Sequence, residues 1–386
     1  MNNLTPLGEV AYLAMGSAPP GESYNLTGDG VPMIAGAGDY GKEHPEPKKW
    51  TTSPTQVTKV GDLIVCVRAT IGDLNWADKE YCLGRGVAGI RPKDDRLDLR
   101  YAAYYIGAMK DRLARLGTGS TFLAIRRADL ENFMIPLPPL PEQKRIAAIL
   151  DKADAIRKKR KQAIELNETF LRSTFLEMFG DPVTNPKGWE IQKLVDLCVP
   201  KIGLKAGPFG SALKKESYTN FGFRIYGQEQ VIAGTLSVGD YYISDTKFSQ
   251  LSSCAVEPGD LLISLVGSIG NTLVVPDEFE PGIINPRLIR IRTNKDLLAP
   301  LYLQWVLKQD SLQNVLGRRS HGGTMPVLNA SMLKELRIPV PPLAFQEEFL
   351  ALLTKAESSF TTTESLDGKA NDLFNSLVQR AFRGEL

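Results

Sequence analysis

The 386 residues carry 46 Lys and Arg against 44 Asp and Glu, a formal net charge of +2, and 43% of them are hydrophobic. That length predicts two to three domains with ample apolar material for packed cores, and nothing in the composition suggests disorder. No apolar run reaches the ~18 residues of a membrane span and the first residues lack the basic and apolar regions of a signal peptide, so a cytoplasmic protein with no membrane partner is expected. Cys66, Cys82, Cys198 and Cys254 lie far apart, with only His44 and His321 to help them, which predicts buried free thiols rather than a zinc site.

Residues 1–140 read as an α+β domain. The run 61–68, GDLIVCVR, predicts a buried strand after a Gly-Asp turn. Helical periodicity covers 101–116, YAAYYIGAMKDRLARL, and the proline run 134–141, MIPLPPLP, has to be extended. A long helix follows over 141–180. Pro141 suits the first turn, Glu142 sits at the positive end of the dipole, and Gly180 and Pro182 end it. Roughly 40 residues at about 1.5 Å each make a rod of about 60 Å, which reads as a spacer.

The order then repeats. The stretch 259–266, GDLLISLV, answers GDLIVCVR; 301–316 answers the first helix; and 338–343, IPVPPL, answers IPLPPL. Gly119, Thr121, Pro136, Pro138, Pro139, Leu140 and Gln143 align with Gly322, Thr324, Pro339, Pro341, Pro342, Leu343 and Gln346 at one offset, 322 − 119 = 203. The same offset runs on into a second long helix. It sets Ile146, Ile149, Ala153, Ala163, Phe170, Leu171, Met178 and Phe179 opposite Phe349, Leu352, Ala356, Leu366, Leu373, Phe374, Ala381 and Phe382 as an apolar seam in 3,4 spacing, with Arg160, Asn167 and Gly368 as imperfections. The expected fold class is α+β: two similar domains separated by a pair of long antiparallel helices, an internal repeat of pseudo-twofold character, divided at 1–140, 141–182, 183–340 and 341–386.

No catalytic constellation is legible. The stretch 36–43, GAGDYGKE, falls one residue short of a Walker A loop, with Glu43 in place of the metal-binding hydroxyl and Pro45 where a helix has to start. Asn285-Pro286-Arg287 has the wrong third residue for an amino-methyltransferase motif. What remains is charge at loop positions: Lys48, Lys49, Arg68, Arg85, Arg126 and Arg127, then Lys201, Lys205, Lys214, Lys215, Arg287, Arg318 and Arg319, beside glycines and aromatics. Such groups neutralise phosphate, although any one of them is also an ordinary solvated cation. The loop 207–215, GPFGSALKK, sets Gly207, Gly210 and Ser211 before two lysines, as a phosphate contact requires. Gly119, Ser120 and Thr121 match the region of Thr324 in the repeat. Gln228, Gln230 and Asn329 are candidates for reading adenine edges. The run RKKRK at 157–161 reads as a solvated face or as phosphate contacts. Similar frames with different loops predict two different things recognised.

These pieces together resemble the specificity subunits of Type I restriction and modification enzymes. The motifs are IPLPPLPEQKRIAAILDKAD at 135–154, MFGDPVTNPKGW at 178–189, IPVPPLAFQEEF at 338–349 and AFRGEL at 381–386. The resemblance implies two target-recognition domains, each reading half of a split, asymmetric site on double-stranded DNA. It also implies two methyltransferase subunits that bind S-adenosylmethionine and methylate adenine N6, and restriction subunits driven by ATP with Mg. The chain itself is then expected to be non-catalytic and to hold no cofactor or metal. A coiled-coil adaptor for proteins, or a single-chain methyltransferase or nuclease, stays open as an alternative.

Overall fold

The computed structural model describes residues 4–119, 122–209, 212–265, 270–319 and 328–386, and of 318–319 and 357–369 the backbone alone. The chain divides into two compact units, Met1–Gln162 with Thr363–Leu386, and Ala163–Thr362. Each unit therefore takes part of both long helices, Leu140–Phe179 and Leu343–Arg383.

The first unit pairs Leu4–Pro6 with Met134–Pro136. A four-stranded sheet runs Ala11–Met15, Val87–Pro92, Leu63–Cys66, Leu74–Trp76, and another runs Tyr24–Asn25, Lys49–Thr51, Val31–Ile34, Cys82–Leu83. In the second unit Glu190–Lys193 pairs with Arg337–Val340. Its sheets run Leu204–Ala206, Leu288–Ile291, Leu261–Ser264, Thr272–Val274 and Tyr218–Thr219, Tyr242–Ile243, Phe223–Tyr226, Gly282–Ile284. The neighbour order is the same in both, and in both the last strand of the second four-stranded sheet is parallel to its neighbour. The sequence repeat is a fold repeat.

The continuous apolar runs at 61–68 and 259–266 follow from this topology. Leu63 and Val65 face one core of the first unit while Ile64 and Cys66 face another, so the strand has no solvent side to make polar. Leu261 and Ile263 point into one core of the second unit and Leu262 into the other. The Gly-Asp turn ahead of each strand has its own cause. Buried Asp62 accepts from Arg91 at 2.7 and 2.5 Å, and buried Asp260 accepts from Arg292 at 2.7 and 2.8 Å. Each carboxylate also accepts a backbone N–H, from Lys59 or Glu257. The bonds to Asp260 raise the Arg292 pKa, whereas burial pushes that of neighbouring Arg290 down.

The expected helix over 101–116 is two helices, Leu99–Ala108 and Lys110–Ala114, broken at Met109 with φ −101° and ψ 18°. Its counterpart is broken likewise, into Pro300–Leu307 and Asp310–Arg319. Tyr101 donates to Pro136 O at 2.9 Å and Tyr302 to Pro339 O at 3.0 Å, so each first helix is pinned to the proline strand.

Within each unit the two long helices run antiparallel. In the first unit Tyr101 and Tyr105 set ring edges on Phe382 at 5.4 and 5.0 Å, and further along the first helix the Arg157 guanidinium lies 4.8 Å over Phe374. In the second, Phe175 meets Phe349 at 5.4 Å and Phe179 meets Phe345 at 5.4 Å. The expected seam needs correction. Phe170 and Leu373 are 62% and 59% exposed, while Leu150 and Phe175, which were not among the expected seam positions, are fully buried. A stripe that packs on a domain as well as on a partner helix is wider than a heptad seam, and toward its middle the first helix has only half-buried positions to offer. Leu366 and Gly368 lie where the backbone alone is described. Gly180, at φ +77°, ends the first helix against Pro186, where a Cβ would approach to 2.7 Å.

Candidate nucleic-acid interface

In the first unit the parallel strands Val31–Ile34 and Cys82–Leu83 end together, and the loops leaving their carboxyl ends line a cleft of about 500 Å³. Ligands bind in such crevices because the chain diverges there and leaves backbone and loop side chains facing outward. Gly36 and Gly38 line one wall, and a Cβ on either would meet nothing within 4 Å. The other wall is the turn 84–86, with Arg85 at its tip.

Arg68 and Phe122 close the cleft from a third direction. Ala69 N–H donates to Leu123 O and Ile125 N–H to Val67 O, each at 2.9 Å, joining the loops after 67 and after 117 into one ledge. On it the exposed Arg68 guanidinium lies 5.8 Å over the Phe122 ring, which keeps the cation extended but wet. Gly119 is required by this ledge, at φ +138° and with Phe122 O 2.4 Å from a would-be Cβ. The Walker-like stretch is no phosphate cradle: the Asp39 carboxylate already accepts the Ala35 N–H at 2.8 Å. Asn75 and His44 tie the following loop to Gly41 O and Trp76 O.

The remaining expected residues fare unequally. Lys48, Lys49 and Arg126 are exposed in the first unit, as are Lys214 and Lys215 in the second. Arg127 is committed to structure, donating to Leu13 O at 2.9 Å and pairing with Glu131. Lys205 is half-buried in a strand opposite Arg290. Gly207 is buried, and a Cβ there would stand 1.9 Å from Asn285 O. Its glycine serves a backbone crossing, not an open anion site. Gln230 is corrected outright. It is fully buried, its Oε1 accepts Gly227 N–H at 2.7 Å and its Nε2 donates to Val238 O at 2.7 Å, so no edge is left for a base. Gln228 is half-buried and engaged within the protein. Asn329 caps the helix Ala330–Lys334, accepting Met332 N–H at 2.9 Å. Ser120, Thr121, Gly210, Ser211 and Thr324, and the side chains of Arg318 and Arg319, lie outside the described residues. In the basic run 157–161, Arg157 and Lys158 both pair with Asp154 at 2.6 and 3.1 Å, as a solvated helix face does.

Phe122 and Phe209, 57% and 71% exposed, were not among the expected site residues, although each sits beside a glycine-rich cationic loop, where an aromatic has no core to fill. All four cysteines are buried and free. Among the described residues no group of three or more His, Cys, Asp or Glu could hold a metal ion, and no helix is long and apolar enough to cross a membrane.

Comparison with known proteins agrees with the doubled architecture. The family described as Type I restriction modification DNA specificity domain matches twice, over residues 3–166 and 186–369. The EcoBI type I restriction enzyme specificity subunit of Escherichia coli is 23% identical, over 98% of this chain and 84% of its own. A sequence assigned as the MjaX type I restriction enzyme specificity subunit of Methanocaldococcus jannaschii is 41% identical over 164 residues, which span 41% of this chain and only 39% of that one. The crystal structure of a Type I restriction-modification S subunit from M. genitalium superposes with a TM-score of 0.63 at 18% identity, covering 98% of this chain and 96% of that one. At that identity the likeness speaks for the fold.

Proposed function

Since the chain belongs to the Type I restriction modification DNA specificity family, we propose that it is the DNA-reading subunit of a methylating and restricting complex. Each unit reads one half of a bipartite, asymmetric site on double-stranded DNA. The observation that carries this is the pairing of identical frames with unlike loops: the same sheet order and the same Asp–Arg and Tyr–proline ties recur, while the turn 84–86 is Gly-Arg-Gly and its counterpart is Asn-Pro-Arg. A scaffold duplicated for stability alone has no reason to vary just there.

The division of labour follows from the side chains. Exposed Lys48, Lys49, Lys214 and Lys215 supply phosphate contacts, which fix position without carrying sequence information. Arginines on the matching turns 84–86 and 285–287 supply base contacts. Chemistry belongs to partners: two methyltransferase subunits that bring S-adenosylmethionine to adenine N6, and restriction subunits that use ATP and Mg. The chain divides for this purpose into target-recognition domains at 1–140 and 183–340 and helices at 141–182 and 341–386, the repeat offering a methyltransferase the same helix-borne surface twice.

The test is to purify the chain with the methyltransferase subunits and map methylated adenines by sequencing. A split motif with unlike halves is expected. Methylation by the chain alone, or equal binding to every duplex at moderate salt, would overturn the assignment.

A further inference from the structure

We propose that one arginine on the matching turn of each unit, Arg85 in the first and Arg287 in the second, reads a guanine in that unit's half-site; this rests on the DNA-recognition function proposed above.

The two turns are the same piece of backbone. Gly84 N–H donates to Ile34 O and Asn285 N–H to Tyr226 O, both at 2.8 Å. Val87 N–H donates to Gly84 O and Leu288 N–H to Asn285 O, both at 3.2 Å. Val67 N–H donates to Gly86 O at 2.8 Å and Leu265 N–H to Arg287 O at 3.0 Å. Each turn is thus bonded to the end of the strand parallel to the one it leaves, and to the residue that follows an inner strand of the neighbouring sheet. A side chain displayed from it starts from a fixed base, as readout demands.

The sequence differs on this common base. In the first unit the arginine is flanked by Gly84 and Gly86, and a Cβ at residue 86 would stand 2.1 Å from Ala35 O, so Arg85 is the one side chain the turn presents. In the second the arginine comes one residue later, after Pro286, with its N–H held by the Asn285 side chain at 2.9 Å. Both arginines are exposed, and neither guanidinium has an acidic or hydrogen-bonding partner among the described residues. Arg91, Arg292 and Arg127 are instead committed to the frame, Arg91 to Asp62, Arg292 to Asp260, and Arg127 to Glu131 and Leu13 O. Arg85 and Arg287 thus carry unmet guanidinium forks on matching, rigidly held turns. Such a fork matches guanine O6 and N7 bidentately, and the pair is the commonest specific contact in the major groove. Arg68, across the first cleft and lying on the Phe122 ring, is better placed to follow the backbone. The one-residue shift between Arg85 and Arg287 lets the two half-sites carry guanine at different positions.

The experiment uses the chain assembled with its methyltransferase partners, comparing wild type with Arg85→Ala, Arg85→Gln, Arg287→Ala and Arg287→Gln. Methylated motifs are sequenced, duplex binding is measured against salt, and melting checks each fold. Both Arg85 variants are expected to relax one G·C position in one half-site, discrimination there falling about tenfold to a hundredfold. The other half-site and the salt slope stay unchanged, and the Arg287 variants do the reverse. Uniform weakening over all sequences with a shallower slope would make these residues phosphate contacts and overturn the inference. So would unchanged preference, or a wild-type half-site that contains no G·C pair. A wild-type complex with no sequence preference would instead sink the DNA-recognition reading itself, a result distinct from a selective complex that ignores these substitutions.

Discussion

Gln143 and Gln346 stand 346 − 143 = 203 positions apart, are both fully buried, and make the same three hydrogen bonds. Gln143 Oε1 accepts Asp98 N–H at 2.9 Å while its Nε2 donates to Arg96 O and Pro138 O at 2.7 and 2.8 Å. Gln346 Oε1 accepts Ala299 N–H at 2.9 Å and its Nε2 donates to Leu297 O and Pro341 O at 3.1 and 2.9 Å. Each amide pins the start of a long helix to the entry of its unit's first helix. Gln143→Leu or Gln346→Leu would leave an N–H and two carbonyls buried without a partner, and is expected to cost about 2–4 kcal/mol. The check is urea unfolding, where the midpoint should fall for the transition of the unit that holds the residue; an unmoved midpoint would show that water replaces the amide.

The Asp–Arg grips invite a comparison between units. Arg91 keeps 33% of its side chain exposed, whereas Arg292 and its neighbour Arg290 keep 15% and 4%. Asp62→Ala therefore frees a cation that can swing into water. Asp260→Ala takes the buried carboxylate from two guanidinium groups at once, buried Arg290, held otherwise by Ala255 O and Ile202 O, and half-buried Arg292, left with Glu257 alone. The second substitution is expected to cost about 3–5 kcal/mol and the first distinctly less. Equal losses on unfolding would show that Glu257, which also reaches Arg292, carries the charge alone.

Much of this frame was legible in sequence because its parts are periodic or punctuated: the Gly-Asp turns, the proline runs and the glutamines recur in order. Less was legible wherever burial depends on distant chain. Asp62 meets its arginine 29 residues on and Asp260 32 residues on, so the pair is invisible locally. Gln230 looks like a base reader until the fold closes over it, and its equivalent, Asp39, caps the same backbone N–H with a different side chain. Phe175 was missed and Phe170 overvalued because the helix packs on a domain as well as on its partner.

Alkaline pH should loosen the second unit. Burial pushes the Cys198 thiol from 9.0 to about 12, and burial foremost pushes the Tyr226 phenol from 10.0 to about 12. In both groups the folded pKa lies above the unfolded one, so their stabilisation is fully present below about pH 9 and is lost as pH rises toward about 12. Cys198 alone is expected to account for about 2–3 kcal/mol by about pH 11. Unfolding midpoints measured from about pH 8 to about pH 11 should fall, and less steeply in Cys198→Ala; parallel profiles would rule out this thiol.

Lys214 and Lys215 are exposed on the loop that leads into the strand Tyr218–Thr219. Replacing both by Ala should weaken duplex binding for every sequence alike and lower the slope of log affinity against log salt by up to about 2. The methylated motif should not change. An unaltered slope would return both lysines to the ordinary charged surface.

Exchange of one unit's reading loops tests independence most directly, and the packing says how the exchange has to be made. Residues 1–140 are not self-contained: Tyr101 and Tyr105 pack on Phe382, Tyr104 reaches Asp151 at 2.8 Å and Phe374 at 6.2 Å, and Asp98 N–H depends on Gln143. A donor segment from a relative that lacks aromatics at the places of Tyr101 and Tyr105 would leave Phe382 unpacked, costing about 3 kcal/mol or more by analogy with large-to-small core substitutions. A donor that keeps them should fold onto the recipient's helices and carry its own turn and ledge. Sequencing of methylated DNA from such a hybrid is expected to show one half-site replaced and the other retained. Change in both halves would show that the units read DNA jointly, and an unchanged motif would place the reading surface outside residues 1–140.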